Sequence, residues 1–186
     1  MGNAVDSIKD EAVIRKVKQE AREMGLEQYL FVLIGLNTGF LASDILALKV
    51  RNIRREEKIR IREIDTGQYV GVELNPAVRA EINRLLPDEW EDDRYIFQSP
   101  QTHKGIRPIK TKAAYNWVRE ACRRAGFTGP VGCNTLRKTF GYMHYQKYRR
   151  LDYLMMHFGH KNELSVLRYI GYGQYEIDKS MKSFRL

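Results

Sequence analysis

Three residues in the last third of the chain, Arg137, His160 and Tyr169, have types and a spacing that could support chemistry. Arg137 lies in the run Asn-Thr-Leu-Arg-Lys-Thr-Phe-Gly, and His160 ends the triplet Phe-Gly-His nine residues before Tyr169. A tyrosine hydroxyl is a nucleophile, while arginine and histidine are residue types that bind anions and transfer protons. No single member is decisive. Tyr169 is one of eleven tyrosines, and a tyrosine is more often a half-buried core residue.

The positive charge of the chain is concentrated in the segment that contains Arg137 and His160. The 186 residues have a formal net charge of +9. Residues 49–62 carry +5 and residues 63–100 carry −6, whereas residues 101–161 hold thirteen Lys+Arg and two acidic residues, a net of +11. A segment more basic than the whole chain favours a polyanionic partner such as nucleic acid. The alternative is a solvated basic surface that serves solubility.

The elements that must position these residues are mostly helices. Apolar spacing and terminal signals predict helices over residues 8–24, 26–36, 44–48 (capped by Ser43), 76–86, 111–125, 134–147, 151–158 and 163–170. Alternation predicts strands at 58–64 and 69–74 with a hairpin turn at 65–68, and a short strand at 95–97. The predicted fold class is mainly α with a small antiparallel β-sheet (α+β).

The order of the motifs resembles that of the tyrosine recombinases, the phage integrase family. Residues 37–48, Asn-Thr-Gly-Phe-Leu-Ala-Ser-Asp-Ile-Leu-Ala-Leu, are similar to that family's first arginine box, and residues 59–74 are similar to its lysine hairpin. Residues 134–141 resemble the second arginine box, and residues 158–171 resemble the Gly-His and nucleophile boxes. The resemblance covers about residues 8–184. It implies the tyrosine-recombinase catalytic-domain fold and a duplex DNA partner.

The resemblance also implies a mechanism and its residues. In the family a tyrosine attacks a backbone phosphate, which leaves a 3′-phosphotyrosine and a free 5′-hydroxyl and consumes no metal or other cofactor. Two arginines stabilise the phosphate oxygens, a hairpin lysine protonates the leaving oxygen, and histidine-type positions control protons. The carried-over residues are Tyr169 as nucleophile, Arg137 as second arginine and His160 at the Gly-His position. No cofactor and no metal site are expected.

Three other positions depart from the family's pattern. The first arginine is replaced by Leu41, the hairpin lysine by Asp65, and the histidine of His-x-x-Arg by Asn134. A leucine makes no hydrogen bond to a phosphate oxygen, and a carboxylate repels one. Three bases could substitute for the missing arginine, although they lie about ten or more residues later: Arg51, Arg54 and Arg55.

The basic residues outside this site predict contacts with the DNA backbone. The predicted contacts are Lys49, Arg51, Arg54, Arg55, Lys104, Arg107, Lys110, Lys112, Arg119 and Lys138. The helix predicted over 111–125 is the one we expect in a groove. His144 and His157 are expected to be packing or surface residues.

We expect a single catalytic-type domain over residues 1–186, without the family's N-terminal core-binding domain, and a cytoplasmic protein with no membrane segment. Three hypotheses follow. The first is a DNA-binding protein deficient in strand cleavage, acting as a regulator, an accessory factor or a mobile-element remnant. The second is an active integrase that forms a 3′-phosphotyrosine through Tyr169 with substitute residues. The third is an interaction module whose tail, residues 173–186, docks on a second copy or a partner recombinase.

Overall fold

The computed structural model describes residues 5–54, 56–62, 69–99, 107–173, 181–182 and 184–185. Its helices are α1 (Glu11–Met24), α2 (Leu26–Thr38), α3 (Ala42–Leu46), α4 (Pro76–Leu85), α5 (Thr111–Arg124), α6 (Thr135–Tyr148), α7 (Leu151–Phe158) and α8 (Glu163–Ile170). Strands β1 (Lys58–Arg62) and β2 (Tyr69–Glu73) form an antiparallel pair, and a 3₁₀ turn spans Val50–Asn52. The predicted class, mainly α with a small antiparallel sheet, is confirmed.

Helix α2 lies at the centre of the main hydrophobic core. Its sequence is apolar on nearly every face, so residues 29–35 are all buried. Helices α1, α3, α4, α5 and α6 all contact it. Since burying one large apolar side chain contributes about 1.5–3 kcal/mol, this helix is the principal support of the domain.

A second, smaller apolar cluster joins the last three helices. Its buried members are Tyr142, Leu154, Val166 and Ile170, from α6, α7 and α8. Gly141 permits the close approach of α6 and α8, because a Cβ atom there would lie 2.7 Å from Ile170. The helices that carry Arg137 and Tyr169 are therefore packed directly against each other.

The structure corrects three local predictions. Helix α1 begins at Glu11 rather than at residue 8, because the Asp10 side chain caps it by accepting a hydrogen bond from the Ala12 amide (2.7 Å). Helix α3 begins at Ala42, so Ser43 lies inside it and is not the N-cap. Residues 95–97 form no strand; isolated bridges join Tyr95 to Lys49 and Gln98 to Pro108.

Two predicted features fall largely beyond the described ranges. The hairpin turn at 65–68 lies outside them, between β1 and β2. Of the predicted docking tail, Met181 and Phe184 are described, and both are exposed. Across the described ranges, we find no helix with the length and apolar character needed to span a bilayer.

Candidate active site

Arg137 is the buried centre of the candidate site. It lies on the first turn of α6 and is only 6% exposed. Its Nη1 donates a hydrogen bond to the Gly39 carbonyl oxygen (2.6 Å), and its guanidinium carbon lies 4.6 Å from the centre of the Phe158 ring. A buried guanidinium held by a carbonyl and an aromatic face has a fixed position, which is what a preorganised anion contact requires.

Tyr169 and His160 lie beside Arg137. The Tyr169 ring centre is 5.1 Å from that of His160 and 5.3 Å from that of Phe158. His160 follows the C-terminal Gly159 cap of α7, and Tyr169 lies on α8. The structure thus brings together the three residues that the sequence analysis placed in one site, although they span 32 positions of the chain.

The protonation of both rings is governed by burial and by Arg137. Burial raises the pKa of the Tyr169 phenol, while the charge of Arg137 and its hydrogen bonding with the phenol act in the opposite direction. Burial and the Arg137 charge both lower the pKa of His160. The phenol is therefore neutral and harder to deprotonate than a free tyrosine, and His160 is a neutral imidazole at pH 7.

Leu41 lies in the loop between α2 and α3, close in sequence to the backbone group that Arg137 binds. Gly39 ends α2 in the left-handed conformation (φ 64°), and Leu41 is the N-terminal flanking residue of α3. Because Arg137 binds the Gly39 carbonyl, the half-buried Leu41 lies two residues from a direct contact with the guanidinium. Leu41, which the sequence analysis matched to the family's first arginine, thus follows this contact by two residues and has an apolar side chain.

Of the other two substituted positions, one is described. Asn134 is exposed at the N-terminus of α6, one turn before Arg137, and its side chain makes no capping hydrogen bond. Asn134 is exposed whereas Arg137 is buried, so the structure shows no contact between their side chains. Asp65 lies outside the described residues. No cluster of three metal-ligating side chains occurs in the described parts of the chain.

His157 is a packing residue, one of the two alternatives expected from the sequence, but its contact with the end of α2 was not predicted. This residue is buried, and its imidazole lies against the backbone carbonyls of Thr38 and Gly39. It stacks on Tyr153 with ring centres 5.5 Å apart. Arg137 and His157 therefore both contact the backbone just before Leu41. The sequence did show a histidine within the apolar helix α7. However, no neighbouring residue indicated that this histidine would contact the backbone at residue 39.

His157 makes the stability of the protein depend on pH. Burial and the charge of Arg137 lower its pKa from 6.5 to about 4. Between these values the unfolded chain binds more protons, so stability is full above pH 6.5 and falls as the pH approaches 4. At pH 5 the expected loss is about 2 kcal/mol.

Urea unfolding of the native protein and of His157→Phe at pH 7 and pH 5 checks this expectation. The loss of stability between the two pH values should be about 2 kcal/mol smaller in the variant. Comparing the variant with itself at two pH values cancels the pH-independent cost of the substitution. Equal losses in both proteins would show that another group is responsible.

Lys49, Arg51 and Arg54 have partners inside the protein. Lys49 and Arg51 both pair with Asp93. Arg54 donates to the carbonyl oxygens of Trp90 (2.7 Å) and Pro87 (2.8 Å). The segment before Tyr95 thus provides the partners of these basic side chains after α3. Arg54 in particular binds the backbone of a loop in that segment. The DNA contacts of these residues stay predictions.

The remaining predicted DNA contacts fall into three groups. Arg107, Lys110, Lys112 and Arg119 are exposed at or near α5. Lys138 is half-buried, with its Nζ 5.3 Å from the centre of the Tyr169 ring. Arg55 and Lys104 lie outside the described residues. The exposed group is available to an external phosphate, whereas Lys138 belongs to the surroundings of Tyr169.

Comparison with known proteins decides the family. Residues 9–172 match the phage integrase family. The chain is 30% identical over 167 residues, 90% of each chain, to the probable integrase/recombinase YoeC of Bacillus subtilis (strain 168). The chain belongs to the phage integrase family. The resemblance inferred from the motifs is therefore confirmed.

Solved structures show the same fold for this phage integrase family member. The XerH site-specific recombinase, solved in a post-cleavage complex with palindromic difH substrate, matches with a TM-score of 0.73 at 19% identity, over 97% of this chain and 53% of XerH. The catalytic domain of bacteriophage HP1 integrase matches with a TM-score of 0.62 at 19% identity, over 96% of this chain and 94% of that domain. This integrase-family chain thus spans about half the length of XerH.

Proposed function

We propose that this protein binds duplex DNA on a tyrosine recombinase scaffold and is deficient in strand cleavage, so that it acts as a regulator, an accessory factor or a mobile-element remnant. The observation that carries the proposal is Leu41. Arg137 and His157 both contact the backbone just before Leu41. The motif match assigns to Leu41 the position of the second guanidinium, so an apolar side chain there supports the proposal. Arg137 remains, but it supplies only one of the two cationic contacts.

The rate reductions expected from the missing groups support a deficiency in strand cleavage. Removing one preorganised oxyanion donor lowers a rate by on the order of 10²- to 10³-fold. General acid catalysis contributes roughly 10²- to 10⁴-fold, and Asp65 cannot supply it as a carboxylate. These losses are not additive, yet together they leave little catalysis. The burial that raises the pKa of Tyr169 also makes its phenol harder to deprotonate.

The nearest candidates to replace the missing arginine are engaged elsewhere. Arg51 pairs with Asp93, and Arg54 binds two backbone carbonyls in the segment 87–90. Moving either side chain to the loop at residue 41 would break these contacts. Arg55, the third candidate, lies outside the described residues.

DNA binding is supported by the distribution of charge. Arg107, Lys110, Lys112 and Arg119 are exposed on and around α5, within the segment that carries +11. XerH was solved bound to its difH substrate, and a family member with the same fold and an exposed basic surface is expected to bind a duplex through its phosphates. We place this protein with its relatives as a DNA-binding protein.

An active recombinase is the second candidate function, and one observation favours it. Arg137, His160 and Tyr169 remain assembled, with the phenol beside a buried guanidinium. A site that no longer cleaved DNA would be free to lose this arrangement. In this reading Tyr169 forms the 3′-phosphotyrosine and a base such as Arg55 completes the phosphate contacts.

A trapping assay separates the two candidates. The duplex is first selected by the protein from a random-sequence pool and then nicked, so that cleavage releases a short fragment and traps the covalent intermediate. We expect a shifted band on a native gel and no covalent band on a denaturing gel. A covalent band that disappears in Tyr169→Phe would establish the active enzyme. No shift at low salt would contradict DNA binding itself.

A further inference from the structure

A short extended segment ties together the two helices that carry Arg137 and Tyr169. We call residues 5–9 the strap. At one end, Ser7 Oγ donates a hydrogen bond to the Ile170 carbonyl oxygen (2.8 Å), and Lys9 Nζ donates one to the Gly171 carbonyl oxygen (2.6 Å). These are the first two carbonyls after Tyr169. The strap therefore binds the C-terminal end of α8 directly behind the tyrosine.

The strap is also bound to α6. Lys138, the neighbour of Arg137, donates from Nζ to the Val5 carbonyl oxygen (2.7 Å). The Ile8 amide donates to Thr139 Oγ1 (2.9 Å), and both residues are buried. One five-residue segment thus contacts the residues that follow Arg137 on α6 and those that follow Tyr169 on α8.

Helix α8 depends on this support. Its apolar attachment is the small second cluster, to which it contributes only Val166 and Ile170 as buried residues. The last carbonyls of a helix lack partners within the helix, and here Ser7 and Lys9 provide them. Ser7 is 4% exposed and Ile8 is 1% exposed, so the strap is part of the packed structure.

The electrostatic surroundings of Tyr169 depend on the same segment. Lys138 Nζ lies over the Tyr169 ring while it donates to Val5, so the strap fixes the second cation near the phenol. Asp6, also in the strap, stabilises the charged form of Lys138 against the burial that lowers its pKa. Releasing the strap would free both α8 and this ammonium group.

We propose that Ser7 and Lys9 are positioning residues for Tyr169, which hold α8 against α6 from within the same chain. This inference does not require strand cleavage. It concerns where the phenol stands, and it holds for a cleaving and for a non-cleaving protein. A shift of about 1 Å at a reacting group is enough to lower a rate about 10²-fold. We therefore expect the strap to affect the cleavage rate of any variant in which Leu41, Asp65 and Asn134 are replaced by the family's residues.

Hydrogen–deuterium exchange of the full chain tests the proposal. Each lost hydrogen bond is expected to increase local opening by roughly 3- to 10-fold, so Ser7→Ala/Lys9→Met should exchange about 10- to 100-fold faster across α8. The exchange rates of the amides in α4 should be unchanged, because this helix packs in the main core and is distant in sequence from the strap. Lys9→Arg retains the donor and should stay within about threefold of the native rate.

Matched variants and a spectroscopic readout make the test specific. Lys16→Met removes an exposed lysine from α1 and should change neither the exchange rates of α8 nor the Tyr169 ring signal. In ¹³C-tyrosine NMR, the Tyr169 ring signal, assigned by its absence in Tyr169→Phe, should shift in the double variant because it lies near the rings of His160 and Phe158. If the double variant folds poorly, Lys9→Met alone should show the α8 effect at roughly 3- to 10-fold.

Two results would overturn the proposal. Native exchange in α8 and a native Tyr169 signal in the double variant would show that the strap does not position the tyrosine. Equal acceleration of α4 and α8 would show that the strap stabilises the domain generally. Both results are independent of DNA binding, so they leave the proposed function untouched.

Discussion

Restoring the three substituted positions should convert this protein into a cleaving enzyme. In the variant Leu41→Arg/Asp65→Lys/Asn134→His, covalent adduct on the trapping duplex should form about 10⁴-fold faster than in the native protein. The estimate combines roughly 10²- to 10³-fold for the guanidinium with roughly 10²- to 10⁴-fold for the general acid, and it allows for their non-additivity. The retained group of Arg137, His160 and Tyr169 supplies the rest of the site.

A single substitution and two control variants test which change restores cleavage. Leu41→Arg alone should give a smaller gain, because the leaving 5′-oxygen still lacks a proton donor. Ala47→Arg, which adds a guanidinium at an exposed position of the same sequence box, should give none. Adding Tyr169→Phe to the triple variant should abolish the adduct. A triple variant that still shifts DNA yet remains inert would show that Leu41, Asp65 and Asn134 are not what limits cleavage.

Neutralising the exposed bases at the start of α5 should weaken DNA binding strongly. For Arg107→Gln/Lys110→Gln/Lys112→Gln, we expect duplex affinity at low salt to fall by about 10²-fold, and the slope of log affinity against log salt to decrease by up to about 3. Each phosphate contact accounts for about 0.9 of that slope. Mobility shifts at 50, 100 and 200 mM salt with unrelated duplex sequences provide both numbers.

The matched control for this variant is Arg84→Gln. Arg84 is exposed on α4 within the acidic segment 63–100, so its loss lowers the net charge without touching the basic surface. We expect an unchanged salt slope. If Arg84→Gln and the triple variant weakened binding in proportion to the charge removed, general attraction rather than a defined surface would account for DNA binding.

Much of the fold followed from local patterns in the sequence. The apolar stretch of α2 predicted a buried central helix, and the alternation around Ile59 and Ile61 predicted the strand β1. The bounds of α7 and α8 were also predicted correctly, since each ends at a glycine in the left-handed conformation. These features depend on neighbours a few residues apart, which a single sequence displays.

The features that were missed depend on contacts between distant segments. Ser7 and Ile170 are 163 positions apart, and the helical spacing of Ile8 concealed that this residue belongs to an extended segment. The basic run after α3 also gave no sign that Arg54 would bind carbonyls 33 and 36 positions later, although its DNA contact stays a prediction. Composition and periodicity carry no information about which distant group a charged side chain meets.

The residues of the candidate site could be proposed from the sequence because they lie in ordered motifs. The contacts that position these residues could not be predicted. The sequence showed that Leu41 replaces an arginine. It did not show that Arg137 and His157 both hold the loop before Leu41, nor that Lys138 lies over the Tyr169 ring. We therefore attribute the proposed cleavage deficiency to the side chains at Leu41, Asp65 and Asn134 and not to the packing around Arg137.

A structure of the protein bound to a duplex, with an uncleaved phosphate beside Tyr169, tests the central claim most directly. We expect Arg137 to be the only guanidinium within hydrogen-bonding distance of that phosphate, with the Leu41 side chain facing it. A second guanidinium bound to the same phosphate, from Arg55 or any other residue, would contradict the claim that the site lacks the second guanidinium needed for cleavage.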